Sequence, residues 1–277
     1  MRSPGRGGGA PLPLSGPFTP VHADSRGFAS IDFAAGRARA TLARMMNVAL
    51  VHGAWIDGSG WQGTHDILRT RGHNVSVVQN PLTSLADDVA AVDRILARQD
   101  GATLLVGHCY GGAVITEGGN APNVVGLVYV AAFVPDTGES IAMLIEGGTP
   151  LPLQPSADSF LFFNRALFPQ VYAHDLPTAH GLFLAAGQIP PSGVAFATPM
   201  SQAAWRHRRS WYVLSTEDRV IPPSAQRRMA TRANAEVIEV RASHAVHISQ
   251  PEAIAGAVDT AARCAMGCHP SVGWVRP

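Results

Sequence analysis

The chain has 277 residues, 46% of them hydrophobic and only 15% charged, with a formal net charge of +1. That is enough apolar material for one sizeable core, or one core with a lid, and it leaves no electrostatic case for a nucleic-acid partner. All 21 basic side chains are arginine, which excludes lysine chemistry, and no apolar run reaches the roughly 18 residues that a membrane helix needs.

In chain order, residues 1–45 stand apart. They are rich in Gly, Pro, Ala and Arg, show no sustained period and lack the apolar core of a secretory signal. They read as a disordered extension, or as the result of a start assigned too early with Met45 or Met46 as the true beginning, in preference to an Arg-rich, acid-poor transit peptide. From Asn47 the pattern becomes regular. Short Val-rich runs at Val48–Val51, Val75–Val78, Thr103–Val106, Val124–Ala131, Trp211–Leu214 and Val237–Val240 have the continuous apolar character of buried parallel strands. Between them lie helical stretches: Trp61–Arg71, Leu85–Arg98 with Ser84 as N-cap, Tyr110–Gly118, Ala225–Ala233, and Glu252–Arg263 opened by Pro251. The alternation predicts an α/β fold, a mostly parallel sheet of about six strands with helices on both faces.

One segment breaks the alternation. Residues 137–209 are rich in Pro and Phe and show no convincing strand, so they are expected to form a small cap inserted into a core made of 46–136 and 210–265. Most of Phe160, Phe162, Phe163, Phe168 and Phe183 should make up that cap's own core, with one or two facing a pocket. Residues 266–277 read as a loop-like tail. Cys264, Cys268 and His269 lack a second ligand pair, so no metal site is expected. Three cysteines do not make a disulfide framework, and a reduced Cys109 fits a cytoplasmic setting.

Chemistry concentrates at Gly107-His108-Cys109-Tyr110-Gly111-Gly112, where an apolar run stops at Gly-x-Cys-x-Gly and a helix begins. This is the layout of a nucleophile elbow, with Cys109 where Ser usually stands. The flanking glycines allow the tight turn, and the helix start beneath Cys109 favours an anion. Such a nucleophile needs a base and an acid to hold that base, in the order nucleophile, acid, His. Asp218, just past the strand Trp211–Leu214, is the preferred acid over its neighbour Glu217, because the turn should point only one of them inward. The base is His244 or His247, and His244 comes first after the last strand. Two amides are needed for the oxyanion: Tyr110, at the elbow, and Ala54, in the loop His52-Gly53-Ala54-Trp55. His52 reads as a structural histidine bonded to loop backbone.

These motifs, together with Asn80-Pro81-Leu82-Thr83-Ser84-Leu85, Val128-Tyr129-Val130-Ala131-Ala132-Phe133 and Ser249-Gln250-Pro251, resemble a small, capped α/β-hydrolase. The similarity is to the bacterial esterase-like branch related to plant hydroxynitrile lyases and methylesterases, and it covers about residue 46 to 263. It implies Cys109 as nucleophile, Asp218 as acid, His244 as base, and Ala54 and Tyr110 as oxyanion donors. Two features depart from it. Relatives carry Ser at the position of Cys109, and hydroxynitrile lyases place Lys after the catalytic His, where Ala245 stands here. Lyase activity is therefore not expected.

A thiolate leaves readily from a tetrahedral intermediate, so activated esters, thioesters and enol lactones suit such a site better than amides. Dienelactone hydrolases are similar in using Cys on this fold. The expected function is cofactor-independent hydrolysis of a small, largely apolar ester or lactone through an acyl-cysteine. Trp55, Tyr110, Phe133, Val220 and Ile221 should line the pocket, and no arginine except Arg219 is placed to grip a carboxylate. Two alternatives stay open: a Ser-to-Cys variant of a serine esterase, and a fold that only binds a small ligand.

Overall fold

The structure is a computed structural model that describes residues 45–267. Residues 1–44 of the expected 1–45 extension and residues 268–277 of the tail, including Cys268 and His269, lie outside the described residues. The first half contains β1 (Asn47–Val51), α1 (Gln62–Thr70), β2 (Asn74–Val78), α2 (Leu85–Leu96), β3 (Thr103–His108), α3 (Gly111–Gly118) and β4 (Val124–Val130). An inserted stretch follows, with α4 (Ile141–Ile145), β5 (Leu153–Pro155), β6 (Leu161–Phe163), α5 (Phe168–Val171), α6 (Thr178–Ala186) and α7 (Gly193–Ala197). The chain then returns to β7 (Arg209–Ser215), α8 (Pro223–Arg232), β8 (Glu236–Val240), α9 (Val246–Ser249) and α10 (Pro251–Ala265).

Six strands form one sheet in the order β2-β1-β3-β4-β7-β8, and every pair in it is parallel. All six expected strands are present, within a few residues at their ends. Alternate side chains of each strand go to opposite faces. Val48, Leu50, Leu104, Val106, Val128, Val130, Trp211 and Val213 pack on one side under α1 and α10. Ala49, Val51, Leu105, Leu127, Tyr129, Tyr212 and Leu214 pack on the other, with α2, α3 and α8. Both faces are therefore covered, which is why the strands read as unbroken apolar runs. Ser84 caps α2 as expected, its Oγ accepting the Asp87 amide at 3.1 Å.

The inserted stretch corrects one expectation. It contains strand after all: β5 and β6 pair antiparallel, Leu153 with Phe163 and Pro155 with Leu161. Three-residue strands, one ending in proline, carry no readable alternation, so only the pairing reveals them. Among the described residues, no helix is long and apolar enough to cross a membrane.

The strands set their exit loops side by side, and one buried phenol ties the loop after β4 to β7. Tyr212 on β7 donates to the Ala132 carbonyl at 2.6 Å and accepts the Ala132 amide at 2.9 Å. Tyr212→Phe leaves both backbone groups unpaired in the core. It should cost about 2–4 kcal/mol of unfolding free energy, read from the urea midpoint at unchanged m-value. A loss below about 0.5 kcal/mol would contradict this account of the loop.

Candidate active site

The strand β3 delivers Cys109 onto a strained turn. Its φ is 53°, in the left-handed region that non-glycine residues avoid. The surroundings hold it there. A Cβ on Gly107 would lie 2.5 Å from the Gly111 carbonyl oxygen, and one on Gly53 would lie 2.5 Å from the Cβ of Cys109 itself. The loop after β1 therefore presses directly on the elbow, which requires glycine at 53. Cys109 is fully buried.

Asp218 follows β7 and is also buried. Its Oδ1 accepts the amides of Val220 and Ile221 at 2.7 and 2.9 Å. Its Oδ2 accepts from Gln226 Nε2 at 2.8 Å and from His244 Nδ1 at 2.7 Å. Four donors converge on two oxygens, an arrangement that only the carboxylate form accepts in full. Glu217, by contrast, turns outward to pair with Arg241 at 2.7 Å.

His244 lies in the loop after β8. Burial disfavours its charged form, but Asp218 and then Cys109 outweigh that and raise its pKa to about 10. With Nδ1 on Asp218, the remaining nitrogen, Nε2, makes no hydrogen bond of ordinary geometry among the described residues. The ring is thus anchored by Asp218 on one side, and Cys109 lies close enough on the other to help raise its pKa. The amides of Ala54 and Tyr110 likewise donate to no group among the described residues. The site brings together Cys109, Asp218, His244 and these two amides.

Beneath His244 lies a layer of neutral histidines. His108 donates from Nε2 to the His244 carbonyl at 2.9 Å, and its ring lies tilted against His247 with centroids 4.0 Å apart. His247 also packs on Trp61 at 4.9 Å. Burial, reinforced by the charge on His244, lowers the pKa of His247 to about 3. Burial and the neighbouring His247 and His244 push His108 well below 6.5. His52 is lowered by burial and bonded to loop backbone as expected. Its Nε2 accepts the Asn80 amide at 2.9 Å, which leaves Nδ1 to donate to the Gly53 carbonyl, also at 2.9 Å.

The expected pocket lining divides in two. A cavity of about 720 Å³ lies between residues 144–153 of the inserted stretch and α8, and Phe133, Val220 and Ile221 line it. It touches the site through the two residues whose amides hold Asp218, and through Phe133, whose amide donates to the Cys109 carbonyl at 3.1 Å. Trp55 and Tyr110 are not in its wall. The Trp55 indole donates to the Leu161 carbonyl at 2.6 Å, bolting the loop after β1 to the inserted stretch. The Tyr110 hydroxyl donates to Asp88 at 2.7 Å, and burial raises the pKa of that carboxyl to about 6 despite the bond. Of Phe160, Phe162, Phe163, Phe168 and Phe183, none lines the cavity. Phe163 and Phe168 join the core around Trp55 and Tyr172, and Phe183 is exposed. Arg219 is committed to the Gln170 carbonyl at 2.8 Å. Gln226 had no readable signal in sequence, because a glutamine inside an amphipathic helix is ordinary until its partner is known. Among the described residues, no cluster of His, Cys, Asp or Glu could hold a metal ion.

The sequence pattern of the Alpha/beta hydrolase family matches residues 48–257. The chain belongs to that family. This α/β-hydrolase is 33% identical to a carbendazim-hydrolyzing esterase of Nocardioides sp. over 123 residues, 38% of this chain and 50% of the relative. It is 28% identical to a pyrethroid hydrolase of Sphingobium wenxiniae over 242 residues, 76% of this chain and 86% of the relative. The crystal structure of a pyrethroid hydrolase from Sphingobium faniae JZ-2 superposes with a TM-score of 0.70 at 26% identity, covering 79% of this chain and 97% of that one.

The histidine layer should make this α/β-hydrolase acid-sensitive. A histidine with a lowered folded pKa adds stability above its unfolded value of 6.5 and loses it as pH falls toward the folded value. Each such histidine contributes a slope of about 1.4 kcal/mol per pH unit in that interval. Asp88, raised to about 6, acts in the opposite sense between pH 3.8 and 6 but is a single group. Unfolding free energy measured against pH should therefore fall below pH 6.5, and His247→Leu should flatten the fall. An acid limb that His247→Leu leaves unchanged would argue against the layer as its source.

Proposed function

We propose that this chain hydrolyses a carboxylic ester or lactone of a small, largely apolar substrate through an acyl-cysteine. The observation that carries the reading is the buried Asp218–His244 pair beside Cys109, with the amides of Ala54, in the loop that presses on the elbow, and Tyr110, which follows Cys109, left unengaged. In this mechanism the Cys109 thiolate attacks the carbonyl carbon and the amides of Ala54 and Tyr110 hold the oxyanion. Collapse expels the alcohol oxygen, which takes the proton from the His244 imidazolium. Water then loses a proton to His244 as it attacks the thioester. The esterase and pyrethroid hydrolase relatives support ester chemistry.

The cavity lined by Phe133, Val220 and Ile221 is the substrate pocket in this reading, and the inserted stretch is its cap. Cys109 and His244 are fully buried, so entry requires the cap to loosen from the loop after β1. Neither cofactor nor metal takes part.

Turnover of p-nitrophenyl acetate should stop with iodoacetamide or with Cys109→Ala, and intact mass after ester exposure should show an acyl adduct on Cys109. Turnover that survives Cys109→Ala would falsify the acyl-cysteine. The pH profile gives a second check. His244 keeps its proton until about pH 10, so kcat/KM should hold through neutral pH and fall as pH passes 10. Asp218→Asn removes the strongest influence raising that pKa and should move the alkaline limb down toward 6.5. A limb that stays in place would mean that His244 does not supply the proton.

A further inference from the structure

The inserted stretch sends one aromatic side chain into the centre of the site. Tyr172, just after α5, is fully buried. Its ring stands edge-on to His244 with centroids 4.7 Å apart and stacks on Phe168 at 4.5 Å. Its carbonyl accepts the Ala245 amide at 3.1 Å and the Ser243 hydroxyl at 3.2 Å, so both neighbours of His244 clamp it.

The hydroxyl is less well served than the ring. It donates to the Ala54 carbonyl at 3.3 Å, well beyond the usual 2.7–2.8 Å or so for O–H···O. A phenylalanine would make every ring contact. The oxygen adds one long bond and the cost of burying a polar group. It lies beside Ala54, whose amide is one of the two unengaged donors, and Cys109 and Asp218 are close enough to act on it. Burial and then those two groups push the phenol well above its ordinary pKa, so it stays a donor.

We propose that the Tyr172 hydroxyl is a third hydrogen-bond donor to the oxyanion formed when Cys109 attacks an ester carbonyl, beside the amides of Ala54 and Tyr110. This rests on the acyl-cysteine reading. On attack the C–S bond forms and the carbonyl π pair moves onto oxygen. Tyr172 rotates its O–H about the Cζ–Oη bond from the Ala54 carbonyl to that oxygen and keeps its proton throughout. On collapse the C=O re-forms, the leaving oxygen departs with the His244 proton, and Tyr172 returns to Ala54. The long resting bond fits this role, because the donor gives up little to reach its stronger, charged partner.

The test is Tyr172→Phe, which keeps the ring and removes one long hydrogen bond, with thermal unfolding as the folding control. Two rates are compared on the full chain: acylation, from the p-nitrophenolate burst with p-nitrophenyl acetate, and alkylation of Cys109 by iodoacetamide, which builds no oxyanion. Acylation should slow by about 10- to 100-fold while alkylation stays within about twofold of the parent. Acylation at the parent rate overturns the Tyr172 role and leaves the acyl-cysteine standing. A parallel loss of both rates also overturns it, because the hydroxyl would then be acting on the thiolate and not on the oxyanion. A parent protein that shows neither burst nor Cys109 adduct overturns both proposals.

Discussion

A carboxylate and an imidazolium are held together out of reach of water, and that contact constrains everything around it. Removing two such ions from water costs several kcal/mol each, and the pair persists only if its remaining lone pairs and protons are met. Asp218 meets this through Val220, Ile221 and Gln226 as well as His244. Those partners come from one tight turn and one helix, so β7, α8 and β8 must dock in a single arrangement. The neighbouring positions of β7 and β8 in the sheet bring the exit loops of Asp218 and His244 together, and the adjacency of β1 and β3 brings Gly53 against Cys109.

The strain at Cys109 and the neutrality of the histidines beneath it are linked. A left-handed turn at a non-glycine residue costs of order 1–3 kcal/mol and survives only when neighbours over-determine it. Here Gly53, Gly107 and the Phe133 amide close in from three sides. His108, the residue before Cys109, reaches the other way and holds the His244 carbonyl. One dipeptide thus grips both the loop after β1 and the loop after β8. His108 and His247 stay neutral against the charge on His244, and this confines the positive charge to the ring that contacts Asp218.

Much of this was legible before any coordinates. The Val-rich runs stood out because a strand buried on both faces has no polar side to interrupt it, and six of them were placed to within a few residues. The glycines at 53, 107 and 111 stood out because few local geometries need them. Asp218 and His244 were singled out from their position just past strand ends; in the structure Asp218 bonds His244 and Glu217 pairs with Arg241. The β5–β6 hairpin was not readable, since strands of three residues are defined by their partner and not by their own pattern. Trp55 and Tyr110 were expected in the pocket wall, but each spends its polar atom on a distant group, Leu161 or Asp88, that no local spacing announces.

What the sequence determined by itself was the set of local preferences: where strands run, where the backbone must turn sharply, and the order in which a thiol, a carboxylate and an imidazole arrive at one edge of a sheet. What only the tertiary structure decided was which side chains meet across long separations. Gln226 on Asp218, Tyr172 against His244 and the packing of His108 on His247 all depend on how loops pack once the sheet is formed. The reason is physical. Strand and turn signals come from a residue's own backbone and its near neighbours, whereas a buried polar contact exists only when both partners have lost water together, and the partner's identity is written elsewhere in the chain.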